Sequence, residues 1–176
     1  MRKGLNILSA LFAAGGMVSW SLSWSQLQEK KYGEYFEEEK PWVEVEAVLP
    51  EYPRPENLIQ VYVSAVASNI FLVDAKSLSA GEDGVVRYAI VIKASGGATN
   101  VSFEGVRCKT KEQRLYALGR GDNSWAKART KNWTDIRPGS YQAVLYREYF
   151  CPRGAAIYKA EEGVDALRRG GHPQAR

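Results

Sequence analysis

The chain has 176 residues, 24 basic and 20 acidic side chains, a single histidine and two cysteines. Arg2 and Lys3 account for half of the +4 formal charge, so the remainder carries 22 − 20 = +2, too little to argue for a nucleic-acid partner. One histidine and two cysteines also leave little material for a metal centre, and no metal or other cofactor is expected.

Residues 1–25 have the pattern of a cleavable signal peptide. Arg2 and Lys3 form a positive start, and an uncharged stretch from Gly4 to Gln28 follows, most apolar between Ile7 and Val18. That core has the length of a signal peptide's apolar region and falls short of the roughly 20 apolar residues that span a bilayer. Ser23-Trp24-Ser25 fits the small-x-small rule, which sets cleavage before Gln26, with Ser21 or Ser23 as other final leader residues. An uncleaved anchor with Trp20 and Trp24 at the membrane interface is the alternative. With cleavage, the membrane is met only transiently, through the leader. No cysteine stands near its end to accept a lipid.

Residues 26–41 form a charged N-terminal segment in which Tyr32, Tyr35 and Phe36 supply a partial apolar stripe, consistent with a short helix or a solvated tail. From Trp42 the chain alternates: Val43, Val45 and Ala47 on one side, Glu44 and Glu46 on the other. Three prolines in Leu49-Pro50-Glu51-Tyr52-Pro53-Arg54-Pro55 end that strand pattern. Strands are expected over 58–66 and 70–73, and a turn at Gly81-Glu82-Asp83-Gly84. The strongest strand is 85–93, apolar on both faces and therefore central, with 100–108 as its antiparallel partner across Gly96-Gly97. Residues 110–118 read as a short helix or irregular turn, and 141–150 as a last strand delivering Cys151 beside Cys108. A C-terminal amphipathic helix over 155–169 carries Ile157, Ala160, Val164 and Leu167 on one side and stops at Gly170-Gly171 before a frayed tail. No internal repeat is present. The expected architecture is α+β: a single domain on an antiparallel β-sheet with short peripheral helices and one disulfide.

Cys108 and Cys151 lie outside the leader, 43 positions apart, and in an oxidising compartment read as one structural disulfide. Closing a loop of that size stabilises a fold by roughly 4 kcal/mol on loop-closure entropy. A thiol-redox role is the alternative, weakened by the absence of C-x-x-C and of a nearby histidine.

Three stretches together carry a family likeness. They are Trp42-Val43-Glu44 through Leu49-Pro50, Gly84-Val85-Val86-Arg87-Tyr88 continuing through Gly97-Ala98-Thr99-Asn100-Val101-Ser102-Phe103-Glu104-Gly105-Val106-Arg107-Cys108, and Tyr149-Phe150-Cys151. The middle one, the most specific, runs on through Tyr116-Ala117 and Trp125 to Trp133. These resemble the cryptic neisserial protein-like family of small exported proteins from beta-proteobacteria and relatives. The resemblance covers roughly 42–151 and leaves out the charged segment and the 152–176 helix and tail. It implies a periplasmic, Gram-negative location and supplies no catalytic residue.

The residues offer few chemistries. His172 sits in a glycine- and proline-flanked tail, a poor place for a base or ligand. Arg120-Gly121-Asp122, within a glycine-rich loop, reads as a tight turn, and that loop lacks the Lys-Ser/Thr of a phosphate cradle. Asn100-Val101-Ser102 and Asn132-Trp133-Thr134 match a glycosylation sequon that matters only in a eukaryotic secretory pathway. Glu104 and Asp74, on or beside strands, are the carboxylates a glycan hydrolase would use, and surface solvation is their default reading. Tyr116, Trp125 and Trp133, with Tyr141 and Tyr146, cluster among basic residues, so they are candidate ligand-binding aromatics for an envelope glycan. A core beside the disulfide is the competing explanation. The expected function is a non-enzymatic binding or envelope-associated structural domain of the periplasm, with an envelope glycan or an envelope protein as partner. A carboxylate-dependent envelope-glycan hydrolase and a thiol-redox protein are the alternatives.

Overall fold

A computed structural model describes residues 41–175. The leader, and all of the charged segment before Pro41, lie outside the described residues.

Seven antiparallel strands form one sheet: β1 (Leu58–Val61), β2 (Ile70–Ala80), β3 (Val85–Lys93), β4 (Thr99–Arg107), β5 (Glu112–Gly119), β6 (Trp125–Lys127) and β7 (Thr134–Asp135). The first six follow one another as a meander, and β6 and β7 share the outer edge of β5. β3 is central, and seven consecutive residues from Val85 to Val91 are buried because both sheet faces are covered. Its register with β4 is unbroken from Val85 opposite Arg107 to Lys93 opposite Thr99. The α+β architecture matches the reading from sequence.

The C-terminal helix begins at Ala160 and not at 155, so Ile157 reaches the core from the segment before it, and three further elements differ in kind from that reading. Residues 110–118 do not form a helix, since 112–119 is β5. Its Glu, Gln and Arg have low strand propensity, but pairing with β4 and the alternation of Gln113 and Leu115 against Arg114 and Tyr116 override it. Residues 141–150 are helical, not a strand: α1 (Tyr141–Val144) continues as a π-helical stretch, Leu145–Phe150. The Ser140 hydroxyl caps α1 by accepting from the Ala143 N–H at 3.2 Å. Third, residues 42–50 alternate as a strand would yet join no ladder, and cross the sheet as an extended strap.

One sheet face is covered by the helical stretch and by α2 (Ala160–Arg169). Tyr88, Ile90, Val86 and Val106 of the sheet meet Leu145, Tyr149, Phe150, Ile157 and Leu167 there, all buried. Cys108 and Cys151 join that core as a disulfide with Cα atoms 5.5 Å apart. α2 ends at Gly170, whose left-handed φ of 77° lets its N–H and that of Gly171 return to carbonyls of the last turn. The residues beyond are docked, not frayed: His172 donates its backbone N–H to the Glu148 carbonyl at 2.7 Å. The opposite sheet face carries a smaller core of Ala89, Phe103 and Ala117, on which Ala47, Leu49, Tyr116 and Trp125 pack.

Candidate functional site

Of the aromatics expected to cluster, Tyr116, Trp125 and Trp133 lie on the strap face, while Tyr141 and Tyr146 pack on the helix side. Between β4 and β5 the register slips, Glu104 facing Leu115 while Phe103 faces Ala117, so Tyr116 is a bulged residue. Gly105 makes room for it: a Cβ there would stand 2.8 Å from the Tyr116 ring. Tyr116 donates its hydroxyl to Glu44 of the strap at 2.7 Å, and the Trp133 indole N–H donates to the same carboxylate at 3.2 Å. Arg114 forms an ion pair with Glu44, and Arg87 stands 3.7 Å from it. Burial, then the bond to Glu44, pushes the Tyr116 hydroxyl well above its ordinary range. Trp125 donates its indole N–H to the Pro50 carbonyl at 2.9 Å, and its ring packs against Phe103 and Tyr52.

The strap's backbone finds side chains where a ladder strand would find a neighbour. The Val45 N–H donates to Asp83 at 2.8 Å, and Arg87 donates to the Val45 carbonyl at 2.8 Å. Arg87 also pairs with Asp83 at 2.6 Å. Burial alone would raise the Asp83 carboxyl, but the bonds from Arg87 and Val45 and the adjacent charge together hold it below the usual range. The Arg107 guanidinium stacks 3.7 Å over the Trp42 ring and pairs with Glu112. The cationic charges of Arg87, Arg107 and Arg114 are thus matched by Asp83, Glu112 and Glu44, although each Nε is buried without a partner. Tyr116, Trp125 and Trp133 are brought together by the fold, and their polar atoms are taken up in holding the strap. A cleft of about 270 Å³ remains beside it, with Glu44, Glu46, Arg114, Tyr116, Lys127 and Lys131 in its walls.

A wider groove lies on the other face. Beyond the start of α1 the helices leave β4 and β5 uncovered, and residues 130–134 close the far side of a groove of about 490 Å³. Glu104 lies in its floor with 6% of its surface exposed. Four donors converge on this carboxylate: Ser102 and Tyr141 at 2.6 Å, Tyr88 at 3.2 Å and Gln142 at 3.4 Å. Burial first, then the charge of Glu104, drives the Tyr88 and Tyr141 hydroxyls far above their ordinary range. Both phenols therefore stay protonated and donate to Glu104. Among the described residues no cation pairs with Glu104.

Asp74 does not share this groove. It pairs in register with Ala89, on the strap face, and lines a separate cleft of about 250 Å³ with Tyr52, Asn57 and Lys76. Burial pushes its carboxyl up against hydrogen bonds from Lys76 and Ser77 that pull the other way. His172 is better placed than its tail position suggested. Its Nδ1 accepts from the Gln174 N–H at 3.0 Å, which fixes the remaining proton on Nε2, 2.9 Å from Glu162. Arg120-Gly121-Asp122 is a tight turn between β5 and β6, closed by the Asn123 N–H on the Arg120 carbonyl and by Ser124 on the Asp122 carboxylate.

Fold and site together define a small, disulfide-closed α+β domain with an open groove over Glu104 on one sheet face and a strapped opposite face. The model of the CNP1-like family matches residues 37–168, and the chain belongs to that family. The match extends past the 42–151 resemblance to take in nearly all of α2, whose Ala166 and Leu167 complete the main core. No curated protein and no solved structure matches the chain.

Proposed function

We propose that the chain is an exported, periplasmic, non-enzymatic binding domain of the Gram-negative envelope, and that its ligand, an envelope glycan, enters the groove over Glu104. The leader pattern of residues 1–25 and the Cys108–Cys151 disulfide support an oxidising destination. The carrying observation is the groove itself. Its lining mixes amides and hydroxyls with aliphatic surface, and the carboxylate in its floor already accepts four hydrogen bonds. A two-carboxylate hydrolysis needs a partner acid across the same cleft, and Asp74 stands on the opposite face. The buried disulfide, with both cysteines 2% exposed, likewise favours a structural bridge over thiol exchange.

The test is sedimentation of the protein, recovered from the periplasmic fraction, with purified peptidoglycan. Wild type is expected to sediment with it, and Leu118→Trp, which fills the groove from a half-exposed wall position, is expected to remain in solution. Failure of wild type to sediment would remove the glycan reading. Soluble sugar fragments released by wild type and not by Glu104→Gln would replace it with the hydrolase.

A further inference from the structure

Resting on that binding reading, we propose the ligand class of the groove: an aminated sugar, a hydroxylated ring carrying a protonated amine seated against the Glu104 floor. The first observation is an unbalanced charge. Tyr88, Ser102, Tyr141 and Gln142 spread the Glu104 charge over their dipoles, but none cancels it. Arg114, the one cationic residue in the groove lining, carries its guanidinium to Glu44 on the opposite face. Buried carboxylates are ordinarily paired with a cation, and a cation entering this groove supplies one.

The second observation is independent of Glu104. Gln113, in the wall, has a buried Oε1 with no hydrogen-bond partner. A buried acceptor left unpaired is costly, and a rotation of this amide that turns the oxygen into the groove would let a ligand donor relieve that cost. The Glu104 floor and a wall amide that lacks a donor both favour a ligand rich in donors. The rest of the lining decides what bears the amine. Asn100, Asn132 and Thr134 offer groups that exchange hydrogen bonds with hydroxyls, while Ile92 and Leu118 offer apolar surface to a ring's C–H face. A lysine-bearing peptide would satisfy Glu104 and leave that polar rim largely unused. The groove's volume of about 490 Å³ lies within the range of small-ligand sites.

Titration calorimetry of the purified protein at pH 6, where the amine is protonated, with the tetramers of glucosamine and of N-acetylglucosamine tests this, with trilysine as a third probe. The glucosamine tetramer is expected to bind more tightly than the acetylated one by roughly tenfold, about 1.4 kcal/mol. Glu104→Gln, which keeps the shape and removes the charge, is expected to erase the preference. Asn132→Ala, an exposed rim change that leaves the buried network intact, is expected to weaken both oligosaccharides alike. Equal binding of the two tetramers, a preference that survives Glu104→Gln, indifference to Asn132→Ala, or tighter binding of trilysine would each overturn the proposal. If neither tetramer binds while peptidoglycan still sediments the protein, the aminated-sugar class fails and the binding reading stands. If peptidoglycan does not sediment it either, both fail.

Discussion

Glu44 and Glu104 are carboxylates held by tyrosine hydroxyls on opposite faces of one sheet, and their charge partners separate their roles. Glu44 has Arg114 and Arg87 beside it and serves to tie the strap down. Glu104 has four neutral donors and no cation among the described residues, in an open groove. Removing Glu44 leaves Arg114, the Tyr116 hydroxyl and the Trp133 indole without their shared acceptor. The side chain is 18% exposed, so water recovers part of that loss. Glu44→Ala is expected to cost about 1–3 kcal/mol in urea unfolding, with Glu44→Gln losing less. A change below about 0.5 kcal/mol would mean that the strap is not anchored there. Neither role could be read from residue type. Glu44 and Glu104 both stand in alternating stretches, and only the bulge at Tyr116 and the turn into α1 decide what each one meets.

Among the elements, β3 was legible as a run apolar on both faces between the glycine-marked turns Gly81-Glu82-Asp83-Gly84 and Gly96-Gly97, and β4 as its partner across the second turn. β5 was not, since its polar side chains gain their strand conformation from β4 on one edge and β6 and β7 on the other. Residues 141–150 alternate closely enough to pass as a strand, and the signal for a helix was Ser140 at the cap, after Gly139 with φ of 79°. The disulfide pairing does not depend on the type of that element, because Cys151 arrives beside Cys108 at the end of a helical stretch as readily as at the end of a strand. It joins the sheet to the helical layer over 43 residues. Replacing both cysteines by serine is expected to lower stability by roughly 4 kcal/mol, read as a fall in the urea midpoint. An unchanged midpoint would make the bridge dispensable to the fold and reopen a role in thiol exchange.

At the scale of the whole molecule, the strap and the helices cover opposite faces of the sheet but leave the outer part of β4 and β5 open on the helix side. The aromatics expected to cluster are divided by the sheet: Tyr116, Trp125 and Trp133 hold the strap, while Tyr141 and Tyr146 pack on the helix side, Tyr141 against Glu104 and Tyr146 with its hydroxyl on the Cys108 carbonyl. The groove was invisible in the sequence because its walls come from β4, β5, residues 130–134 and α1, which only the folded chain brings together. What the sequence did carry was Glu104 as a residue, the disulfide pair and the family. The export reading rests on residues 1–25, outside the described part of the chain.

The central claim is that the ligand enters over Glu104 and not among the tryptophans. Residue-resolved amide shifts of the isotope-labelled protein, recorded while solubilised peptidoglycan fragments are added, test it most directly. Shifts centred on Asn100, Ser102, Glu104, Gln113, Asn132 and Tyr141 are expected. Shifts confined to the strap, Tyr116, Trp125 and Trp133, or no shifts at saturating fragment concentration, would contradict it.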